Sequence, residues 1–263
     1  MVHSALLNVM IAAARKTARA LKRDFGEIEK LQVSLKGPGN YVSAADRRAE
    51  ETLYAELTKA RPGYSFLGEE GGRREGADKT HTWIVDPLDG TTNFLHGVPH
   101  FAISIALERD NALVAGVVYN PITDEMFVAE KGKGAFVNDH RIRVAARREL
   151  KDALVACGLP HPNRSDLALN GREIASMQAT TGGLREYGAA ALDLAFVAAG
   201  RFDAYWERDL SAWDVAAGVV LVREAGGYVS DLDGGDSMLA KGHIVAGNET
   251  VQREALRVLK GAR

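Results

Sequence analysis

Two aspartates, Asp86 and Asp89, flank Pro87-Leu88 directly after the apolar run Trp83-Ile84-Val85, and Gly90-Thr91-Thr92 follow them. A buried strand that delivers carboxylates at its end must pair, coordinate or neutralise them, because an isolated charge among apolar groups is costly. The stretch therefore suggests a divalent-cation site for phosphate chemistry. Other acids stand beside breaks in structure: Asp46, Glu69, Glu70, Glu207, Asp209 and Asp214. Glu69, Asp86, Asp89 and Asp214 share one pattern, an acid just beyond an apolar run or opening an alanine-rich helix. All-oxygen ligand sets suit magnesium or manganese, whereas zinc prefers histidine or cysteine. No histidine pair has the spacing of a zinc helix, and Cys157 is the sole cysteine. Each acid alone has an ordinary explanation; Asp214, at the head of a helix, reads as a cap. Only their combination argues for a site.

The elements that must position these acids follow from periodicity and punctuation. Ser4 caps a helix whose apolar positions Leu6, Leu7, Met10, Ala13, Ala14, Thr17 and Leu21 form one stripe, while Arg15, Lys16, Arg19, Lys22 and Arg23 make a basic, solvated face. Residues 31–35 alternate like a strand, and 36–40 read as a mobile loop. A helix over 44–59 carries Asp46 in its first turn, where the dipole favours an ionised acid. A strand over 64–67 ends in Gly68-Glu69-Glu70-Gly71-Gly72, a bend on which a flap could hinge, and 73–80 read as polar and flexible. The central strand is expected to stop at Asp86. Antiparallel strands are expected over 100–107, 113–119, 125–129 and 135–137, with the turn Lys131-Gly132-Lys133-Gly134 unlike a phosphate loop because no helix follows it.

After a basic stretch at 138–150, strands over 153–157, 183–186, 202–206, 228–230 and 243–246 alternate with helices over 165–178, 189–199, 212–225 and 249–260. The order predicts an α/β protein with helices covering sheet faces. At 263 residues one large unit is expected, with two intimately packed halves at 1–145 and 146–263. A net charge of −2 gives no bulk electrostatic case for nucleic acid or membrane surfaces. No segment approaches the roughly 20 apolar residues of a membrane helix. The first helix, interrupted by Asn8, Arg15, Lys16 and Arg19, does not read as a signal peptide, so a cytoplasmic location is expected. Cys157 reads as buried and inert.

Gly68-Glu69-Glu70, then Trp83-Ile84-Val85-Asp86-Pro87-Leu88-Asp89-Gly90-Thr91-Thr92-Asn93-Phe94, then Trp213-Asp214-Val215-Ala216-Ala217-Gly218 with Glu224-Ala225-Gly226-Gly227 resemble the inositol monophosphatase family. That family sits among lithium-sensitive, magnesium-dependent phosphatases that include fructose-1,6-bisphosphatases. The resemblance runs from Lys36 to the closing helix. It implies an αβαβα five-layer sandwich, a homodimer, and magnesium-dependent hydrolysis of inositol-1-phosphate, a phosphate monoester, using two or three metal ions, with manganese as the alternative. By the same resemblance, Glu69, Asp86 and the carbonyl of Leu88 would hold one metal. Asp86, Asp89 and Asp214 would hold a second, and Glu69 would face a weaker third. Thr91 and Asp46, with Glu70 nearby, would orient the attacking water. Gly90 and Thr91 would meet the phosphate at a helix start, with Lys36 on a flap beside it. Gly188, Ala190 and Glu207 would line the alcohol pocket, with Asp214 at its edge. The ordinary reading of Glu207 is a surface acid paired with Arg208. Ser211 stands where animal enzymes carry histidine, so lithium sensitivity and the choice of alcohol stay open. Histidinol phosphate is the alternative substrate. An alternative of another class is a regulatory protein that binds transcription machinery or RNA through the basic first helix and residues 141–148.

Overall fold

The computed structural model describes residues 3–27, 33–37, 40–159 and 166–263, with the backbone alone at 33–37 and 40–43. Helix α1 (Ala5–Phe25) starts where the Ser4 side chain accepts the Leu7 N–H at 3.1 Å, and it buries the predicted stripe from Leu7 to Leu21. Strands β1 (Val33–Gly37) and β2 (Asn40–Ser43) form an antiparallel hairpin. Lys36, Gly37 and Asn40 are therefore strand residues rather than a mobile loop, since Gly37 pairs with Asn40 across the hairpin and Lys36 sits at an irregularity between the paired Leu35 and Gly37; Pro38 and Gly39 lie outside the described residues. Helix α2 (Ala44–Ala60) then leads to β3 (Tyr64–Gly68), β4 (Gly72–Arg74) and the long β5 (Asp78–Asp89). The polar segment 73–80 is thus mostly strand, because β4 pairs back on β3. A short helix α3 (Thr91–Leu95) precedes β6 (Ala102–Arg109), β7 (Ala112–Asn120), β8 (Glu125–Glu130), β9 (Gly134–Val137) and β10 (His140–Ile142).

The second half runs β11 (Leu154–Cys157), α4 (Leu167–Gln178), β12 (Gly183–Arg185), α5 (Ala190–Ala198), β13 (Ala204–Glu207), α6 (Ala212–Glu224), β14 (Tyr228–Ser230), α7 (Met238–Lys241), β15 (Ile244–Gly247) and α8 (Glu249–Gly261). Helix α4 begins after Asp166, whose side chain accepts the Leu169 N–H at 2.9 Å; Ser165, the expected start, is outside the described residues. Helix α7 has no counterpart in the sequence reading, because one turn is too short for periodicity to reveal.

Among the described residues the larger sheet has eight strands in the order β10-β9-β8-β7-β6-β5-β3-β4, antiparallel except for the parallel pair β3–β5. The smaller has five in the order β12-β11-β13-β15-β14, parallel on one side of β13 and antiparallel on the other. Strand periodicity sorts the large sheet into two faces. Trp83, Val85, Ile103, Ile105 and Val117 pack against α1 and α2. Ile84, Ala102, Ala106, Val118 and Phe127 pack against α5 and α6, which in turn meet Tyr205, Ile244 and Ala246 of the small sheet. The other face of the small sheet, with Val155, Trp206 and Val245, packs on Met177 of α4 and on Val251, Ala255 and Leu259 of α8. Helices, sheet, helices, sheet and helices give the five expected layers. No helix among the described residues is long and apolar enough to cross a membrane.

The central helix layer seats itself on small residues. A Cβ on Gly116 of β7 would lie 2.6 Å from the Ala217 carbonyl oxygen and 3.0 Å from its Cα, both backbone atoms of α6. Gly116→Ala is therefore expected to cost about 1–3 kcal/mol by overpacking, read as a lowered midpoint in urea with an unchanged m-value. A midpoint equal to that of the parent would show that α6 can shift away freely.

Candidate active site

Register decides which acids meet. Strand β3 pairs in parallel with β5 up to Gly68↔Val85, so Glu69 and Asp86 are the next residues beyond that pair. On the other side the pairing passes from Asp86↔Ser104 to Asp89↔Ala102, which leaves one extra residue on β5. This bulge holds Pro87, which has no N–H to give to a ladder. The strand consequently continues through the proline to Asp89 instead of stopping at Asp86. Inside the bulge the Leu88 N–H turns back and donates to Asp86 Oδ1 at 2.8 Å. Gly90 follows with φ +89° and caps α3; a Cβ there would lie 3.0 Å from the His100 carbonyl oxygen and 3.3 Å from that of Gly188. Positive φ and crowding both demand glycine.

Distant helix starts supply the remaining contacts. The Ala191 N–H in the first turn of α5 donates to Asp89 Oδ2 at 2.8 Å. At α6, the Ser211 N–H donates to Asp214 Oδ2 at 2.7 Å, the acid half of a capping box. Asp214 is therefore part of a cap, and its charge also acts on Asp86 and Asp89. Ser104 Oγ, on the strand beside Asp86, donates to the Trp213 carbonyl at 3.3 Å and ties α6 to the large sheet.

Asp86 and Asp89 are 2% and 8% exposed. Burial holds the Asp86 carboxyl well above the ordinary carboxylate range, and the charges of Glu69, Asp89 and Asp214 push it further. Asp89 is raised in the same way, by burial and then by Asp214, against the opposing Ala191 N–H. Among the described residues no three His, Cys, Asp or Glu side chains are gathered tightly enough to form a ready-made metal cage. The acids share one electrostatic field and not one ligand sphere, and backbone amides donate to Asp86, Asp89 and Asp214. An arriving hard cation would relieve the repulsion that raises Asp86 and Asp89, and the all-oxygen donor set fits magnesium or manganese.

Thr91 Oγ1 lies between two acceptors, Asp46 Oδ1 at 3.0 Å and the Leu88 carbonyl at 3.1 Å. Its single proton serves one of them at a time. Asp46 is 1% exposed, held in the first turn of α2 as expected. Glu69 and Glu70 form the turn between β3 and β4, and Gly68 pairs directly with Gly72. The bend is thus a closed hairpin rather than a hinge. The Lys36 side chain lies outside the described residues.

Glu207 ends β13, half-buried. It does not pair with Arg208, whose Nε donates to Glu173 Oε1 and Oε2 of α4 at 3.1 and 3.0 Å. Its partner is the hydroxyl of Tyr205, which donates to Oε2. Burial, followed by the charges of Asp214, Glu186 and Asp209, pushes the Glu207 carboxyl up to about 8 against the Tyr205 hydrogen bond. Parallel pairing of Cys157 with Trp206 sets Gly158 against Glu207, and a Cβ on Gly158 would overlap that carboxylate. Burial pushes the Cys157 thiol up to about 12, so it is inert as expected. Gly188 has φ +69°, and Ala190, 7% exposed, opens α5. Asn93 Nδ2 donates to the His100 carbonyl at 2.8 Å and to that of Tyr187 at 2.6 Å, joining α3 to the segment that carries Gly188.

Several participants escaped the sequence reading. Asp193 is an acid inside the apolar helix sequence Ala190–Ala198, 1% exposed, with Oδ1 lacking a hydrogen-bond partner and its carboxyl raised by burial and then by Glu207 and Asp89. An acid in such surroundings was the available signal. Glu50 sits one helical turn beyond Asp46, on the same face of α2. Asn93 and Gly158 carried no signal that a single sequence could reveal.

A family model described as the inositol monophosphatase family matches residues 3–261. A Mesorhizobium japonicum protein named inositol-1-monophosphatase is 60% identical over 260 residues, which cover 99% of this chain and 98% of that one. A Pseudomonas aeruginosa protein named Nus factor SuhB is 47% identical, covering 92% and 91% of the two chains. The crystal structure of the extragenic suppressor protein suhB from Bartonella henselae superposes with a TM-score of 0.95 at 54% identity, over 98% of this chain and 99% of that one. With the five layers and the acid cluster at the end of β5, these matches lead to one assignment: the chain belongs to the inositol monophosphatase family, whose members are metal-dependent phosphatases.

Proposed function

We propose that this phosphatase hydrolyses inositol-1-phosphate with the help of two or three magnesium ions, manganese being the alternative. The observation that carries the metal reading is the cluster of mutually repelling carboxylates around Asp86, two of them almost wholly buried. The name of the Mesorhizobium relative supports the choice of alcohol. Glu69, Asp86, Asp89, Asp214 and the Leu88 carbonyl would hold the ions. Bound there, the ions would acidify a water, neutralise phosphate oxygens and stabilise the departing alkoxide. With Leu88 engaged in that way, the Thr91 proton would go to Asp46, leaving a Thr91 lone pair to accept from the attacking water. Glu70 would flank that water. The backbone N–H groups of Gly90 and Thr91 at the start of α3 would face the phosphate, and Lys36 would meet it from the β1–β2 hairpin. Glu207, with Gly188 and Ala190 beside it, would bind the hydroxyls of the alcohol. We include a homodimer in the same reading, on the family resemblance.

Asp86→Asn should abolish nearly all turnover with magnesium while far-UV circular dichroism stays unchanged. The Asn Oδ1 keeps the Leu88 hydrogen bond and removes a repelled charge, so the metal-free variant should melt no lower than the parent at pH 8. Full turnover by this variant would sink the shared-ligand assignment.

Glu207 generates a pH prediction. Its carboxyl titrates at about 8 in the folded chain against an ordinary 4.5, so between those values the folded state holds a proton that the unfolded state has lost. Stability therefore falls as pH rises through that window and levels off above it. Without metal, Glu207→Gln should melt with a shallower decline from pH 5 to 8.5 than the parent; equal slopes would count against the enclosed carboxyl. In turnover, the variant should lose more on inositol-1-phosphate than on an aryl phosphate, and histidinol phosphate serves as the competing substrate. Equal losses on both would remove the pocket role.

A second reading, association with transcription machinery, has support in the Nus factor name of the Pseudomonas relative. The exposed cationic face of α1, Arg15, Lys16, Arg19, Lys22 and Arg23, is the surface it would use. Reversing three of these charges should abolish co-purification of RNA polymerase or ribosomal components if the reading holds. Absence of such components from the parent itself removes it.

A further inference from the structure

Glu50 of α2 is 2% exposed and is not a cation's partner in the family-derived reading. Its carboxylate instead holds the hairpin that carries Glu69. Oε2 accepts the Glu70 N–H and Oε1 accepts the Gly71 N–H, both at 2.7 Å. Two successive amides pointing at one anion form a nest, a concavity that binds negative charge through backbone dipoles alone. Here the anion belongs to the protein. The turn of 69–71 lies between the paired residues Gly68 and Gly72, and its inward amides look to α2 for their acceptors.

The glycines around the turn fit this arrangement. A Cβ on Gly68 would come within 2.6 Å of Glu50 Cδ, and one on Gly71 would lie 2.7 Å from Glu50 Oε1 and 2.6 Å from the Arg74 guanidinium. Gly71, unlike Gly72, has no positive φ. Its lack of a side chain therefore reflects crowding by the seated carboxylate and by Arg74, not backbone conformation. Glu50 also lies one turn beyond Asp46, whose carboxylate receives the Thr91 hydroxyl. The same face of one helix thus touches Thr91 and the hairpin of Glu69, and so fixes the spacing of two parts of the site.

We propose that Glu50 is a positioning residue for divalent-cation binding, which aims Glu69 at the site by pinning the hairpin at its two amides. The inference rests on the reading of Glu69 as a metal ligand. Outer-shell partners that orient ligands typically change metal affinity 10–100-fold when lost.

The test measures Mn2+ binding by electron paramagnetic resonance of the free ion, with the Mn2+-induced rise in melting temperature as a second readout, on the full chain. Glu50→Gln replaces one acceptor oxygen by an amide donor facing an N–H. Gly71→Ala keeps Glu50 intact and intrudes on its seat, while the flexible end of Arg74, which the new methyl also meets, can swing aside; it covers the case in which the first variant folds poorly. Both are expected to bind Mn2+ about tenfold more weakly, with a smaller Mn2+-induced rise in melting temperature and turnover recovered at higher Mn2+. Glu69→Gln is the reference. If it binds weakly while either folded variant binds like the parent, the role of Glu50 is overturned and the ligand reading stands. If Glu69→Gln itself binds like the parent, the ligand reading falls and takes the inference with it. A melting temperature lowered equally with and without Mn2+ makes Glu50 a residue of the fold alone and overturns the proposal.

Discussion

Repulsion between buried carboxylates is the constraint on which this structure turns. Asp86 and Asp89 lie in the protein interior with the charges of Glu69 and Asp214 acting on them. Nothing in elementary packing favours that arrangement, since desolvation and like charge both oppose ionisation. What holds the acids in place is backbone. The Leu88 amide holds Asp86, Ala191 holds Asp89 and Ser211 holds Asp214. Each donor sits in a bulge or a helix start, where amides are free of the ladders. A donor of this kind fixes direction without cancelling a full charge, so the acids stay aimed while their mutual repulsion persists. A lysine in the same place would orient a carboxylate equally well and quench it.

The five layers serve this purpose. The acids come from the ends of β3 and β5, the start of α6 and, through Ala191, the start of α5, so both the large sheet and the central helix layer must be fixed to within a hydrogen bond's length. The alanines and glycines of α5 and α6 allow that fit. Gly116 lets α6 lie against β7, and Gly218 leaves room for Leu194, which a Cβ there would meet at 2.5 Å. Close seating of these helices and accuracy at Asp214 are one requirement seen from two ends.

Much of this was legible in the chain. The acids that end apolar runs or open helices are visible as a set, and the order of strands and helices announces a layered α/β chain with helices on the sheet faces. Failures were of two kinds. Punctuation misled where pairing overrode it: Pro87 was read as the end of a strand and proved to sit in a bulge, and the polar residues at 73–80 are mostly strand because β3 offers them a partner. Partnerships across long sequence separations left no local trace. The Arg208–Glu173 and Glu207–Tyr205 pairs depend on which strand lies beside which helix, and adjacency to Arg208 suggested the wrong partner for Glu207.

Asp193 and Glu50 illustrate why an acid's type says less than its donors. Both are almost wholly buried, on helices that border the same site. Glu50 has two amides at 2.7 Å, one for each oxygen, so its charge is spread into the backbone of a hairpin and its position is fixed. Asp193 has an oxygen with no donor among the described residues, and burial with nearby acids raises its carboxyl. Burial and the charges of Glu207 and Asp89 both favour its neutral form. One acid is an anchor because amides satisfy both its oxygens, while the other has its charge disfavoured by burial and by the acids around it.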